Sequence, residues 1–190
     1  NYSAVLDNTL GRNGKSEAQR ADLVRESNKK IREQADRAAS IVTGFRNFVS
    51  NASPQMSVVN LHDLVHEAVE LIRVTMQDAN VDIQLILSAA QSKVRVNPTE
   101  VTQVLVNLLR NSCEAVAQQV ATTRKISLST VLDGENIVLS VTDSGPGVGV
   151  DTAGRMYDPF FTTKPEGMGL GLAICRTIVS RHGGQLRHVA

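Results

Sequence analysis

Asn97-Pro-Thr-Glu-Val-Thr-Gln-Val-Leu-Val-Asn-Leu-Leu-Arg-Asn-Ser-Cys-Glu-Ala115 is the stretch on which the reading of this chain turns. Its start carries three helix signals: Asn97 can cap, Pro98 suits the first helical position, and Glu100, three residues after the cap, completes a capping-box pattern. Val101, Val104, Leu105, Leu108 and Leu109 then share an apolar face. Gln103, Asn107, Asn111 and Glu114 recur at spacings of four, four and three on a separate polar stripe. Taken in isolation, that stripe is most simply a solvated helix face. It is also a line of hard oxygen donors, and amide oxygens suit magnesium, which keeps part of its shell as water or substrate phosphate.

Further along, Ile137-Val-Leu-Ser-Val-Thr-Asp143 reads as a strand ending in Ser-Gly145-Pro-Gly147. A carboxylate at a strand tip can accept a hydrogen bond from an exocyclic amine, and the two glycines let a flat ring approach the main chain. The same composition equally suits an ordinary turn. Gly167-Met-Gly169-Leu-Gly171-Leu172 opens a helix over about residues 170–178, with backbone N–H groups placed to face an anion. It is neither a Walker-type loop, since no Lys-Ser/Thr follows, nor a dinucleotide fingerprint, since the glycine spacing is wrong and no strand precedes it. Between these blocks, Tyr157-Asp-Pro-Phe-Phe-Thr-Thr-Lys164 holds two adjacent phenylalanines, expected in the core as an anchor, and a lysine that points either to phosphate or to solvent.

Each block alone is weak; their fixed order is a strong signal. The four segments, from Asn107, Asp143, Asp158 and Gly167, resemble the N, G1, F and G2 boxes of the ATPase family shared by gyrase, chaperone, mismatch-repair and histidine-kinase proteins. The whole chain resembles bacterial two-component sensor histidine kinases. Its wording from Gln103 to Ala115 and from Pro159 to Arg176 is similar to the branch of FixL-like oxygen sensors and nitrogen or dicarboxylate sensors. The likeness is weak before Ala35 and strong after Pro98.

That resemblance implies a two-layer α+β ATP-binding domain of the Bergerat type, a mixed sheet with helices on one face, binding ATP and Mg²⁺. Asn111 is implied as the magnesium-binding amide and Asn107 as lining the phosphate side, with Arg110 beside them. Asp143 is implied as the adenine-recognising carboxylate, with Gly145 and Gly147 beside the base. Gly167, Gly169 and Gly171 would lie under the phosphates, accompanied by Met168, Leu170 and Leu172. Residues 152–168, with Phe160, Thr162, Thr163 and Lys164, would form a lid over the nucleotide. Relatives that hydrolyse ATP with water often carry a glutamate where this chain has Asn107, and an amide is a poor general base. The expectation is therefore phosphoryl transfer to a histidine and onward to a response-regulator aspartate. A clamp-type ATPase and an anti-sigma-type serine kinase are the alternatives within the superfamily.

Upstream, Val24, Asn28, Ile31, Ala35, Ala38, Val42, Phe45 and Val49 alternate at spacings of four and three, the seam of a bundle helix. Tyr2, Val5, Leu6, Thr9 and Leu10 form a shorter piece ending at Gly11-Arg-Asn-Gly14. Residues 1–53 are thus expected as a helical hairpin that dimerises as a four-helix bundle, and residues 54–190 as the ATP-binding domain. In resembling kinases a His-Glu motif near the start of the first hairpin helix carries the phosphate. Residues 1–53 carry none: His62, His66, His182 and His188 all lie later and read as surface or partly packed, and the acceptor is expected about three helical turns before Asn1.

Between the hairpin and the Asn helix, a strand from Ser57 to Asn60, one helix from Leu61 to Gln77, and strands from Val81 to Ser88 and Lys93 to Val96 are expected. Strands from Lys125 to Leu132 and Asn136 to Asp143 meet at Asp133-Gly134, and a last strand follows Gly183-Gly184. The 190 residues carry a net charge of +1, no Trp and 3% aromatics, which gives no reason to expect nucleic acid or an anionic membrane as partner. No run is apolar enough to span a bilayer, and Cys113 and Cys175 lack metal-ligand spacing. A cytoplasmic setting is expected, with an upstream sensor domain in the full-length protein.

Overall fold

The computed structural model describes residues 20–28, 31, 55–118, 124–164 and 167–189. The chain divides into two units, Asn1–Asn51 and Ala52–Ala190. In the first, residues 20–28 and 31 are helical, with Val24 and Ile31 exposed and Arg25 within 3.8 Å of Asp22. The rest of the expected hairpin, including Tyr2 to Leu10 and Ala35 to Val49, lies outside the described residues.

The second unit runs β1 (Ser57–Asn60), α1 (Leu61–Leu71), α2 (Arg73–Asp78), β2 (Asp82–Leu87), β3 (Lys93–Val96), α3 (Pro98–Ala117), β4 (Lys125–Asp133), β5 (Asn136–Asp143), α4 (Val150–Arg155) and α5 (Gly171–Arg181). β1 and β3 form an antiparallel pair, with Ser57 opposite Val96. A second sheet has the order β2-β4-β5. There β2 is parallel to β4, with Ile83 opposite Ile126, and β4 is antiparallel to β5. The β4–β5 hairpin turns at Gly134, whose φ of 61° is the left-handed conformation that glycine adopts without strain.

Period-two alternation decides which sheet face is covered. Ile126, Leu128 and Thr130 of β4 point inward and are fully buried, while Ile86, Val131 and Val138 on the opposite face are exposed. Against the inner face pack Leu64, Val65 and Ala68 of α1 and Leu105, Leu109 and Cys113 of α3, which makes one continuous core. Each large aliphatic side chain buried there contributes about 1.5–3 kcal/mol. A second apolar cluster, Val104, Cys175 and Ile178, fastens α5 to the far side of α3. The helices therefore lie on one face of a mixed sheet, in two layers.

Three expectations change. The single helix from Leu61 to Gln77 is broken at Ile72, where φ is −106° and ψ is 7°. Ile72 is buried in the core, and its N–H bonds back to Val69 rather than four residues back, which tightens one turn before α2 resumes. The strand expected after Gly184 does not form: residues 184–189 carry no strand, and Leu186 packs on the Val104–Cys175–Ile178 cluster, which offers side chains and no ladder edge. Finally, α4 overlaps the start of the stretch expected as lid, and no period in six residues revealed it.

Candidate functional site

Three chain segments converge on one side of α3. Asn107 donates from Nδ2 to the carbonyl of Gly171, at the start of α5, at 2.9 Å. One turn on, Asn111 Oδ1 accepts from Lys164 Nζ at 3.2 Å, and the same ammonium is paired with Glu114. At Ala115 the loop after β5 passes so closely that a Cβ on Gly145 would sit 2.9 Å from the Ala115 Cβ. Positions 107, 111, 114 and 115 span about 12 Å of helix axis at 1.5 Å per residue. The polar stripe is thus a contact surface for other segments rather than a solvated face.

Helix α3 is held in place from its start. Asn97 Oδ1 caps by accepting the Glu100 N–H at 3.0 Å, as the sequence suggests, and Pro98 takes the first turn. The reciprocal half of the expected capping box is absent. Glu100 instead pairs with Arg181 at 3.4 Å, and the Asn97 N–H donates to His182 Nε2 at 2.9 Å. No local spacing signals a partner from the last helix.

At the β5 end, Asp143 Oδ1 accepts the Gly145 N–H at 2.9 Å, and a Cβ on Gly145 would stand 2.6 Å from that oxygen. Gly145 is therefore required for the close turn. Gly147 has φ of 75° in open space, so its need is backbone conformation alone.

The segment before α5 is built around Gly169. Its φ is 65°, its carbonyl accepts the Phe160 N–H at 3.0 Å, and an added Cβ would lie 2.4 Å from the backbone of both Phe160 and Phe161. Phe160 itself has φ of 68° and is 75% exposed, which corrects the expectation that both phenylalanines join the core. Phe161 is half-buried, with the Arg155 guanidinium 4.4 Å from its ring centroid, so α4 meets this segment through a cation–π contact. Thr162 Oγ1 accepts the Lys164 N–H at 3.1 Å and crowds Gly167, where a Cβ would come within 2.3 Å. Thr163 is exposed, and Arg110, Met168, Leu170 and Leu172 are half-buried. Leu170 supplies no side-chain cap to α5, whose first amides consequently have no side-chain acceptor from that position.

Beneath the Asn107–Gly171 contact lies Cys175, whose Sγ receives a weak 3.5 Å contact from Asn107 Nδ2. Burial pushes its thiol from 9.0 up to about 11, opposed by the Asn107 hydrogen bond. Cys113 is raised to about 11 as well, first by burial and then by the Glu114 charge, with Arg110 opposing. Burial also raises the Tyr157 phenol, opposed by Arg176, whose guanidinium stands 5.3 Å from the ring centroid. These are packed groups stabilised in their neutral forms.

Among the described residues no group of three or more His, Cys, Asp or Glu is arranged to hold a metal. Of the oxygen donors on α3, the Asn111 amide and the Glu114 carboxylate already share an ammonium and are of the hard type that magnesium takes.

Residues 96–189 match the family model of the histidine kinase-, DNA gyrase B- and HSP90-like ATPases. The catalytic domain of the histidine kinase ThkA, solved in a nucleotide-free form, aligns with a TM-score of 0.60 at 30% identity, covering 67% of this chain and 82% of that one. The chain belongs to this ATPase family. Within it, relatives are sensor histidine kinases, such as the C4-dicarboxylate transport sensor protein DctS of Rhodobacter capsulatus. DctS is 32% identical over 166 residues, which make up 87% of this chain and 25% of DctS. The chain thus spans about a quarter of that relative's length. Full-length ShkA, solved in complex with AMPPNP, shares the fold at 23% identity, with a TM-score of 0.67 over 90% of this chain and 35% of that one. Among the described residues, no helix of this histidine-kinase-type ATPase domain is long and apolar enough to cross a membrane.

Proposed function

We propose that this chain is the ATP-binding catalytic part of a sensor histidine kinase, transferring the γ-phosphoryl group of Mg-ATP to a histidine, from which a response-regulator aspartate receives it. The observation that carries this reading is the meeting of Asn107 and Gly171 at 2.9 Å, which joins the amide-bearing helix to the glycine-rich helix start. Family membership and the AMPPNP complex of ShkA support ATP as the nucleotide.

In this reading the Asp143 carboxylate accepts the exocyclic amine of adenine, and Gly145 and Gly147 admit the ring to the backbone. The first amides of α5, with Gly167, Gly169 and Gly171 before and within that turn, face the phosphates through hydrogen bonds and the helix dipole. Asn111 Oδ1, with Glu114 beside it, suits a magnesium ion that neutralises phosphate charge when bound. Lys164, Thr162 and Thr163 belong to a lid over residues 152–168, anchored by the Arg155–Phe161 contact. Arg110, Phe160, Met168, Leu170 and Leu172 complete the nucleotide's surroundings.

Asn107 Nδ2 donates to Gly171, and an amide in that role does not take a proton from water, which favours phosphoryl transfer over hydrolysis. In this reading the acceptor is a histidine on the first hairpin helix, outside these residues. Within the ATP-binding unit, His182 is engaged at both ring nitrogens, and His62 Nε2 lies 2.9 Å from the Thr130 hydroxyl. Exposed Val24 and Ile31 support dimerisation through the residue 1–53 hairpin, an upstream sensor and a cytoplasmic setting following from the kinase reading.

Calorimetric titration with AMPPNP and Mg²⁺ tests the site. Asp143→Asn is expected to weaken binding at least tenfold, about 1.4 kcal/mol, with unchanged melting. Equal affinity in both proteins would remove Asp143 and, with it, the assigned pocket.

A further inference from the structure

Lys164 stands where a metal would have to come. Its ammonium lies 3.2 Å from Asn111 Oδ1 and is paired with Glu114. These two oxygen donors sit three residues apart on α3, so both reach one point from one helix face. The lysine arrives from a different segment, 50 residues later in the chain. Its backbone is held independently: Thr162 Oγ1 accepts the Lys164 N–H at 3.1 Å, and the Lys164 carbonyl accepts the Gly167 N–H at 3.1 Å. The side chain can leave the oxygens without unfolding the loop that carries it.

We propose that the Lys164 ammonium is an internal cation held by the Asn111–Glu114 oxygen pair, and that a divalent metal binds there only by displacing it, with Glu114 serving beside Asn111 as a metal-facing carboxylate. The inference rests on the assignment of Asn111 to the metal in the preceding section. An ammonium and a magnesium ion want the same hard oxygens, and like charges at hydrogen-bond range exclude each other. A lysine is suited to such exchange, being a compact charge on a flexible four-carbon stem. The Lys164 and Glu114 side chains are 36% and 46% exposed, open to cations from solvent. Displacement frees the Lys164 side chain from α3, so metal occupancy and the Lys164 contact to α3 are linked, each biasing the other equally.

The test uses the full chain and Mn²⁺ alone, without nucleotide, read by electron paramagnetic resonance of the free ion. Wild type is expected to bind Mn²⁺ weakly, Lys164→Met to bind it at least fivefold more tightly, and Lys164→Arg, which keeps the charge, to stay near wild type. Adding Glu114→Gln to Lys164→Met is expected to abolish the gain. A smaller increase in Lys164→Met, or a gain that survives Glu114→Gln, overturns the proposal. AMPPNP titration of wild type separates the two levels: normal nucleotide binding with unchanged Mn²⁺ affinity removes only this inference, whereas loss of nucleotide binding removes the reading beneath it.

Discussion

The backbone N–H of Asn97 donates to Nε2 of His182 at 2.9 Å, across 85 positions of sequence. Because Nε2 accepts there, the ring proton sits on Nδ1, which donates to the Ile178 carbonyl at 2.8 Å. One imidazole thus closes the start of α3 and the end of α5 together. It fixes the two helices whose meeting at Asn107 and Gly171 defines the candidate site.

Replacing His182 by Ala leaves the Asn97 N–H without its acceptor inside a packed contact. The expected loss is about 1–3 kcal/mol, measured by urea unfolding. His182→Gln, whose side-chain oxygen can accept, is expected to recover part of that loss. Equal losses in both variants would assign the effect to packing rather than to the hydrogen bond.

Gly169 and Gly147 both have positive φ, but only Gly169 is crowded, by the backbone of Phe160 and Phe161. Gly147→Ala should cost about 1–2 kcal/mol for its left-handed backbone alone. Gly169→Ala should cost more, because main-chain atoms must move. Thermal melting of the two variants side by side checks the order.

At Gly171 a Cβ would meet the Asn107 amide at 3.0 Å, tight enough to displace a side chain without opposing any backbone. Gly171→Ala is accordingly expected to keep its melting temperature nearly unchanged. Its AMPPNP affinity should fall about tenfold, equivalent to about 1.4 kcal/mol. A calorimetric titration decides it.

Alkaline pH should weaken the fold through its thiols. Cys175 titrates near 11 when folded against an ordinary 9.0, so between those values the unfolded chain has released a proton that the folded chain still holds. Stability is therefore full below about pH 9 and is lost as pH rises toward 11, by on the order of 2–3 kcal/mol for this group. Cys113 adds in the same direction. Urea midpoints from pH 8 to 11 follow the loss, and at pH 8 both buried thiols should resist a thiol reagent until the chain unfolds.

Local chemistry was legible wherever it stayed local. Asn97 and Pro98 announce α3, and Asp133-Gly134 announces the hairpin between β4 and β5. The break at Ile72 was not legible, because the 3.6-residue period continues through it, and the distortion comes from fitting that side chain into the core. Phe160 misled for the opposite reason: its apolarity predicts burial, while its backbone bond to Gly169 turns it outward.

Taken by itself, the sequence determined the ordered blocks, the helix and strand periods and the set of polar residues that could meet, since each depends on neighbours within a few positions. Only the tertiary structure decided which of them meet. Lys164 reaches Asn111 and Glu114, Gly171 reaches Asn107, and His182 takes over half of a capping box. Those pairings join residues 50 to 85 positions apart, and the packing of α5 on α3 brings them together in a way that no local spacing encodes.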